Sequence, residues 1–323
     1  MDFTLTDEQE LLVETARNLF TRECPSELIR RVADEPEAAS ELFDKHLREW
    51  VELSDGAAVD LSLFLVEYGA AVAPGPFLAT AGAFAPLLRA AGHPLADDAA
   101  AGRITGTVAE DAHDGRARAV DVELVDKVAL VGPGPTLAVV DAASVEAERV
   151  EAMDLVRSTS FLTVPADVDY QPLDPIAMID AFERAALAVA SELVGVTRWL
   201  IDSTVAYAKE RVQFGVPIGS FQAVQHKLVD MALAYEEAAA AVAYAAMCVD
   251  AHDPDRARAV HVAKARAGSA ARYCSKDGMQ LHGGIGYTWE HDLHLRLRRA
   301  YADDALFGTG AWHLDQLAGI LFG

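Results

Sequence analysis

Arg211-Val212-Gln213-Phe214-Gly215, followed by Pro217, Gly219 and then Phe221-Gln222, separates two long runs of helix-spaced apolar residues. A helix thus ends in a loop that gathers a cation, an amide and an aromatic ring within four positions. The arginine offers a planar fork that matches phosphate oxygens. Gln213 can bond a base or ribose edge, and Phe214 supplies a flat apolar face. Together they suit a nucleotide diphosphate. The same residues also make an ordinary helix end, with a C-terminal cation against the dipole, a Gly-rich turn and a buried Phe. Spacing alone leaves both readings open.

A second loop of unusual composition lies downstream, at Gln280-Leu281-His282-Gly283-Gly284-Ile285-Gly286-Tyr287-Thr288. Its glycines can expose backbone N–H groups and adopt positive φ, which is how an anion-binding nest forms. A tight turn between helices explains them equally well, and His282 alone reads as a structural histidine.

Working outward, long helices flank both loops. Asp174-Pro175 is an N-cap followed by Pro at the first helical position, and nothing stops the helix before Lys209. A second helix is expected from about Ser220 to Asp250, and a third from Asp253-Pro254 to Gly283. A fourth follows Thr288, and Gly308-Thr309-Gly310 breaks it before a short terminal helix. Long helices with short connections imply an antiparallel bundle. Near Gly102 the composition changes. Arg103–Val108, Ala119–Leu124, Lys127–Val131, Thr136–Val140 and Ser160–Val164 are short and β-branched, and predict a small antiparallel sheet or barrel. At the start, Thr6 and Gln9 form a capping box. Helical patterns recur over Ala39–Leu53, Val59–Ala71 and Leu78–Ala91. The expected fold is mainly α, with a helical domain over 1–98, a β-domain over 99–172 and a helical bundle over 173–323.

The 323 residues carry a net charge of −23, with acid spread along the chain. That disfavours both a sequence-independent grip on nucleic acid and an anionic membrane surface. No unbroken apolar run reaches membrane-spanning length. Cys24, Cys248 and Cys274 are far apart and form no metal-binding pattern, and no signal peptide is visible, so a cytoplasmic protein without disulfides is expected.

In order, RxQFGxxIxxFQxxxxxLxDM and QxHGGxGYTxE resemble the C-terminal domain of the acyl-CoA dehydrogenase family, and TDEQELLVETARNLF is similar to that family's opening helix. The resemblance is fullest over 174–305, extends over 1–92 and is weak between. It implies a helical N-terminal domain, a middle β-domain and a C-terminal four-helix bundle. It also implies that Arg211, Gln213 and Phe214 contact the adenosine diphosphate half of FAD across a subunit interface. Gln222 would support that loop, while Gln280, Gly283 and Gly284 form the opposing wall and Gly286 permits the turn.

The chain departs from the family in three places. The Thr-Glu-Pro and Gly-Ser-Asp type segment that meets the flavin ring has no counterpart between Gly92 and Val120. Phe307-Gly308-Thr309 stands where a catalytic Glu precedes Gly-Thr, and Phe cannot accept a proton. Some members carry the base in the first bundle helix, but counting from Gly195 puts Ala185 there. Glu183 is two residues away, rotated by about 200°, and reads as a solvated or salt-bridged helix residue. Finally, the linker from Trp50 through Asp60 is short. This pattern resembles the shortened subunit of bacterial α2β2 dehydrogenases of steroid and side-chain catabolism, whose longer homologous partner keeps the base and handles most of the acyl-CoA. A self-sufficient homo-oligomer using Glu183, or a scaffold that has lost FAD, are the alternatives.

Overall fold

Thr6 and Gln9 close the capping box as expected. Thr6 Oγ1 accepts from Gln9 N and Gln9 Oε1 accepts from Thr6 N, both at 3.2 Å, satisfying two donors that a helix start leaves unmet. Helix α1 (Asp7–Glu23) follows. The computed structural model describes residues 3–112, 116–164 and 167–323. Residues 113–115, inside the stretch where the sequence predicts loss of the flavin-ring segment, lie outside the described residues.

Next come α2 (Ser26–Asp34), α3 (Ala39–Leu42), α4 (Ala58–Ala71), α5 (Ala85–Ala90) and α6 (Ala96–Ala100). Two expected helices are less regular than their apolar spacing suggested. Beyond α3 the chain widens into a π-type turn over Phe43–Leu47 and then tightens over Glu49–Asp55. Leu78–Phe84 is also π-type. It runs into Pro86, which has no N–H to return to the preceding turn.

The strands are β1 (Gly106–Ala112), β2 (Arg116–Val120), β3 (Lys127–Val131), β4 (Thr136–Asp141), β5 (Glu146–Arg149), β6 (Thr159–Thr163) and β7 (Gln171–Pro172). They form one sheet in the order β5-β6-β2-β1-β3-β4-β7. The sheet is mixed, because β1 pairs with β3 in parallel. The expected 119–124 strand stops at Val120. There Asp121 turns left-handed (φ 53°), a conformation Asp tolerates better than most residues, and one tight turn carries the chain past β1. Strand β5 escaped the sequence reading because Glu-Ala-Glu-Arg is exposed throughout and has no apolar alternation; charge of this kind suits a sheet edge. Along β3 the alternation is clear. Ala129 packs with Phe84, Leu88, Leu137 and Ala181 on one face, while Val128 and Leu130 pack with Ala109, Ala117 and Leu162 on the other.

The remaining elements are α7 (Pro175–Glu210), the hairpin strands β8 (Val212–Gln213) and β9 (Val216–Pro217), α8 (Gln222–Asp250), α9 (Arg256–His282), α10 (Leu293–Asp304) and α11 (Gly310–Phe322). Helix α7 begins as expected, with Asp174 Oδ1 accepting from Ile176 N at 2.9 Å. Helix α10 begins later than Thr288, since Trp289–Asp292 are spent in turns and His291 Nδ1 accepts from Leu293 N.

The chain divides into two compact units: Met1–Phe20, Ser62–Val72 and Val189–Gly323 form one, Thr21–Leu61 and Ala73–Ala188 the other. The first holds the bundle. Its α4 and α7 touch backbone to backbone, because a Cβ on Gly69 would lie 2.1 Å from Glu192 O and one on Gly195 1.9 Å from Val66 O. Its interior also carries charge. Arg299 Nη1 meets Glu192 Oε1 at 2.6 Å with both side chains 0% exposed. Glu67 accepts bidentate bonds from Arg198 (2.8 and 2.6 Å) and further bonds from Arg17. Among the described residues α8 alone is long and apolar enough to cross a membrane by length and composition. It also belongs to this bundle, where its Lys227 bonds Asp277 of α9 at 2.9 Å.

Candidate functional site

The Arg211–Phe221 loop is a β-hairpin. Val212 pairs with Pro217 and Gln213 with Val216, so Phe214 and Gly215 form the two-residue turn, at φ 54° and 84°. Positive φ at both central positions is what a tight hairpin needs and what Asn-Gly usually supplies. A phenylalanine there is an outlier. Its side chain is 94% exposed and meets the Phe221 ring edge-on, with centroids 6.2 Å apart. The buried Phe that an ordinary helix end would have is therefore absent. Val212, Val216 and Phe221 are also exposed.

Below the turn the hairpin is firmly seated. Ile218 N donates to Arg211 O at 2.8 Å, Gln225 Nε2 to Gly219 O at 3.0 Å, and a Cβ on Gly219 would lie 3.0 Å from Ala208 O. Arg211, Gln213 and Gln222 are exposed. Gln213 Nε2 bonds its neighbour's carbonyl, Val212 O, at 2.8 Å. The Arg211 guanidinium has no ion-pair partner among the described residues, although the chain carries an excess of carboxylates.

Tyr207 brings the two loops together. Arg211 N donates to Tyr207 O at 2.8 Å. The Tyr207 ring stacks on His282 at 4.4 Å, and its hydroxyl donates to His282 O at 3.3 Å. Since Gly283 follows His282, the ends of α7 and α9 present the hairpin and the glycine loop from one end of the bundle. Sequence reading missed Tyr207. Its only signal was its place one helical turn before Arg211.

In the glycine loop only Gly283 has positive φ (63°). Residues Gly283–Tyr287 form a tight helical turn, so of the two readings left open by the sequence the structure has the tight turn. The glycines act through space instead. A Cβ at Gly283 or Gly284 would meet nothing within 4 Å, so backbone is open to solvent at both positions. Gly286 serves packing rather than the turn: a Cβ there would lie 2.9 Å from Met279 Sδ. Gln280, Ile285, Tyr287 and Trp289 are exposed around it. His282 is buried, with Nδ1 against Gly278 O at 2.8 Å. Burial pushes its pKa down despite that hydrogen bond. A neutral, stacked imidazole is structural, as the sequence suggested.

The positions considered for a base lie elsewhere. Phe307 sits at φ 49° ahead of Gly308 at 92°, and its carbonyl accepts from His313 Nε2 at 2.9 Å. Ala185 is buried on α7, and so is Glu183, at 3% exposure. The solvated half of the expectation for Glu183 is therefore corrected: the side chain is buried, and two positions along the helix put it on a different face from Ala181 and Ala185, which are buried as well. Among the described residues no cluster of His, Cys, Asp and Glu could hold a metal, and all three cysteines are buried.

This mainly helical architecture with one inserted sheet is acyl-CoA dehydrogenase-like. Residues 176–322 match the model of the acyl-CoA dehydrogenase C-terminal domain. The chain is 32% identical over 317 residues to acyl-CoA dehydrogenase IpdE2 of Mycobacterium tuberculosis, covering 94% of both. It is 47% identical over 132 residues to acyl-CoA dehydrogenase FadE34 of the same organism, but that stretch is 40% of this chain and 19% of FadE34. The fold matches a chain of the ChsE4-ChsE5 complex from Mycobacterium tuberculosis with a TM-score of 0.84 at 21% identity, over 99% of each. The chain belongs to the acyl-CoA dehydrogenase family.

Proposed function

We propose that this chain is the shortened subunit of a heteromeric, FAD-dependent acyl-CoA dehydrogenase, most simply an α2β2 assembly, and that it supplies part of the flavin site to a longer homologous partner. The observation that carries the reading is the hairpin: a strained, almost fully exposed Phe214 beside an uncommitted Arg211, opposite open glycine backbone. None of these groups serves the chain's own core. A fork of donors, an amide and an aromatic face match the diphosphate, ribose and adenine of a dinucleotide, and the open surface at Gly283 and Gly284 leaves room for one. Arg211, Gln213 and Phe214 would hold that half of FAD, Gln222 would brace the hairpin, and Gln280, Gly283 and Gly284 would form the facing wall.

Bound FAD supplies the hydride acceptor for α,β-dehydrogenation of an acyl-CoA thioester. That reaction also needs a carboxylate to take the α-proton. Phe307 and Ala185 cannot do this, so the base is assigned to the partner, together with most contacts to the acyl chain. A steroid or lipid acyl-CoA is the substrate class to try first. The location we assign is the cytoplasm.

The test is reconstitution. This chain and a longer acyl-CoA dehydrogenase homologue, each alone and then mixed, are supplied with FAD and an acyl-CoA, and dye reduction is followed. Activity that requires both chains supports the proposal, whereas equal activity from this chain alone would overturn it.

A further inference from the structure

We propose that the buried pair His261–His313 is an acid-sensitive latch that docks α11 on α9 and releases it when the pair takes up a second proton. The two Nδ1 atoms lie 2.8 Å apart. His313 Nε2 lies 2.9 Å from Phe307 O, and a carbonyl oxygen can only accept, so His313 carries its proton on Nε2. Its Nδ1 is then the acceptor, and the proton between the rings belongs to His261. The pair is satisfied with one proton shared between the two Nδ1 atoms. A proton added to His313 sets two N–H groups against each other at 2.8 Å. A proton added to the other nitrogen of His261 keeps the bond but leaves a cation in the interior.

The surroundings oppose either cation. His313 is 0% exposed and His261 8%. His313 lies in the first turn of α11, where the helix dipole disfavours positive charge. Lys264, one turn along α9 from His261, is buried with its ammonium on the carbonyls of Asp303, Asp304 and Gly308 (3.3, 3.1 and 2.9 Å). From α10, Asp303 and Asp304 are the nearby carboxylates, and Arg272 of α9 already holds Asp304. From α11, Trp312 meets His313 and His261 edge-on, with ring centroids 4.9 and 5.8 Å away. Burial, then Lys264, drives the His313 pKa down to about 4, and burial lowers that of His261.

A histidine whose docked pKa lies below its undocked value of about 6.5 stabilises docking fully above that value and loses the contribution as pH falls towards about 4. Within that window, each step of about one in pH weakens docking roughly tenfold. His313 alone therefore weakens docking by roughly 80-fold from the top of the window to the bottom, and the rest is lost below about pH 4. Released α11 would also free Phe307 and Gly308, whose left-handed geometry its contacts maintain.

Hydrogen exchange on the full chain, corrected for intrinsic rates between about pH 4 and pH 7.5, tests this. Amides of Gly310–Phe322 should lose protection below about pH 6 while the middle of α9 keeps it. His313→Gln can donate to Phe307 O and accept from His261 without titrating, so the acid loss should shrink by at least about tenfold. Unchanged α11 protection down to about pH 4.5, or the same acid midpoint in His313→Gln as in wild type, would overturn the latch. If His313→Gln fails to dock at neutral pH, wild-type imidazole titration by NMR decides. Both rings must titrate below about 6.5, and an ordinary pKa with α11 still protected contradicts the proposal.

Discussion

At the scale of single residues, Phe214 bears a conformational cost that its own chain does not recover. Holding a non-glycine residue at positive φ costs about 1–3 kcal/mol, and here the cost is not offset by burying the ring. Phe214→Gly should leave the isolated chain at least as stable, gaining up to about 1 kcal/mol, while weakening FAD binding in the assembled complex. A urea midpoint and a flavin titration measure the two effects separately. If Arg211 holds the pyrophosphate as proposed, Arg211→Ala should cost about 1.5–3 kcal/mol, roughly ten- to a hundredfold in FAD affinity. Arg211→Lys should recover only part, because a point charge replaces a fork. An unchanged flavin affinity for Arg211→Ala in the complex would remove this residue from the site. Glu183 needs its own test, since it is buried rather than solvated. Glu183→Gln keeps its shape, so flavin reduction by acyl-CoA in the complex should change by no more than about twofold. A slowing of about a hundredfold with flavin still bound is the signature of a general base and would move the chemistry into this chain. Residue types and spacing named the hairpin and glycine positions. They could not show that Phe214 is exposed, that Gly286 is a packing glycine, or that Tyr207 joins the loops, because each depends on contacts distant in sequence.

Among the elements, α7 and α10 are held by charge as well as by packing. Removing one partner of the fully buried Arg299–Glu192 pair leaves an uncompensated ion, so Arg299→Met should cost about 3–5 kcal/mol in thermal or urea unfolding. The Glu67 cluster adds a pH dependence. Burial alone would raise the Glu67 pKa, but bonds from Arg198 and Arg17 outweigh it and the value falls below 4.5. A depressed carboxylate stabilises the fold above its unfolded pKa and loses that contribution as pH drops through the lower folded value. Wild-type stability should therefore fall with acid below about pH 4.5 more steeply than that of Glu67→Gln. Equal slopes would contradict the assignment. The long helices were legible because their caps are local: Asp174-Pro175 and the Thr6–Gln9 box each act within one turn. The sheet was less so. Asp121 ended a strand through its own backbone preference, and the parallel β1–β3 pairing depends on a crossover that no local pattern encodes.

At the scale of the whole molecule, the bundle keeps its buried ion pairs and exposed hairpin and glycine loops, while the positions where the family resemblance places a base hold Phe307 and Ala185. Composition and motif order made the fold class legible, but the proposed division of labour would rest on what a partner contributes. If the flavin site is completed between chains, FAD binding and assembly stabilise each other by mass action. Flavin content is then the direct measurement, made on the chain purified alone and purified with its longer homologue, from the visible absorbance band and the protein concentration. Little or no flavin is expected in the isolated chain, and about one FAD per pair of unlike chains in the complex. Stoichiometric FAD bound to the isolated chain would contradict the shared site.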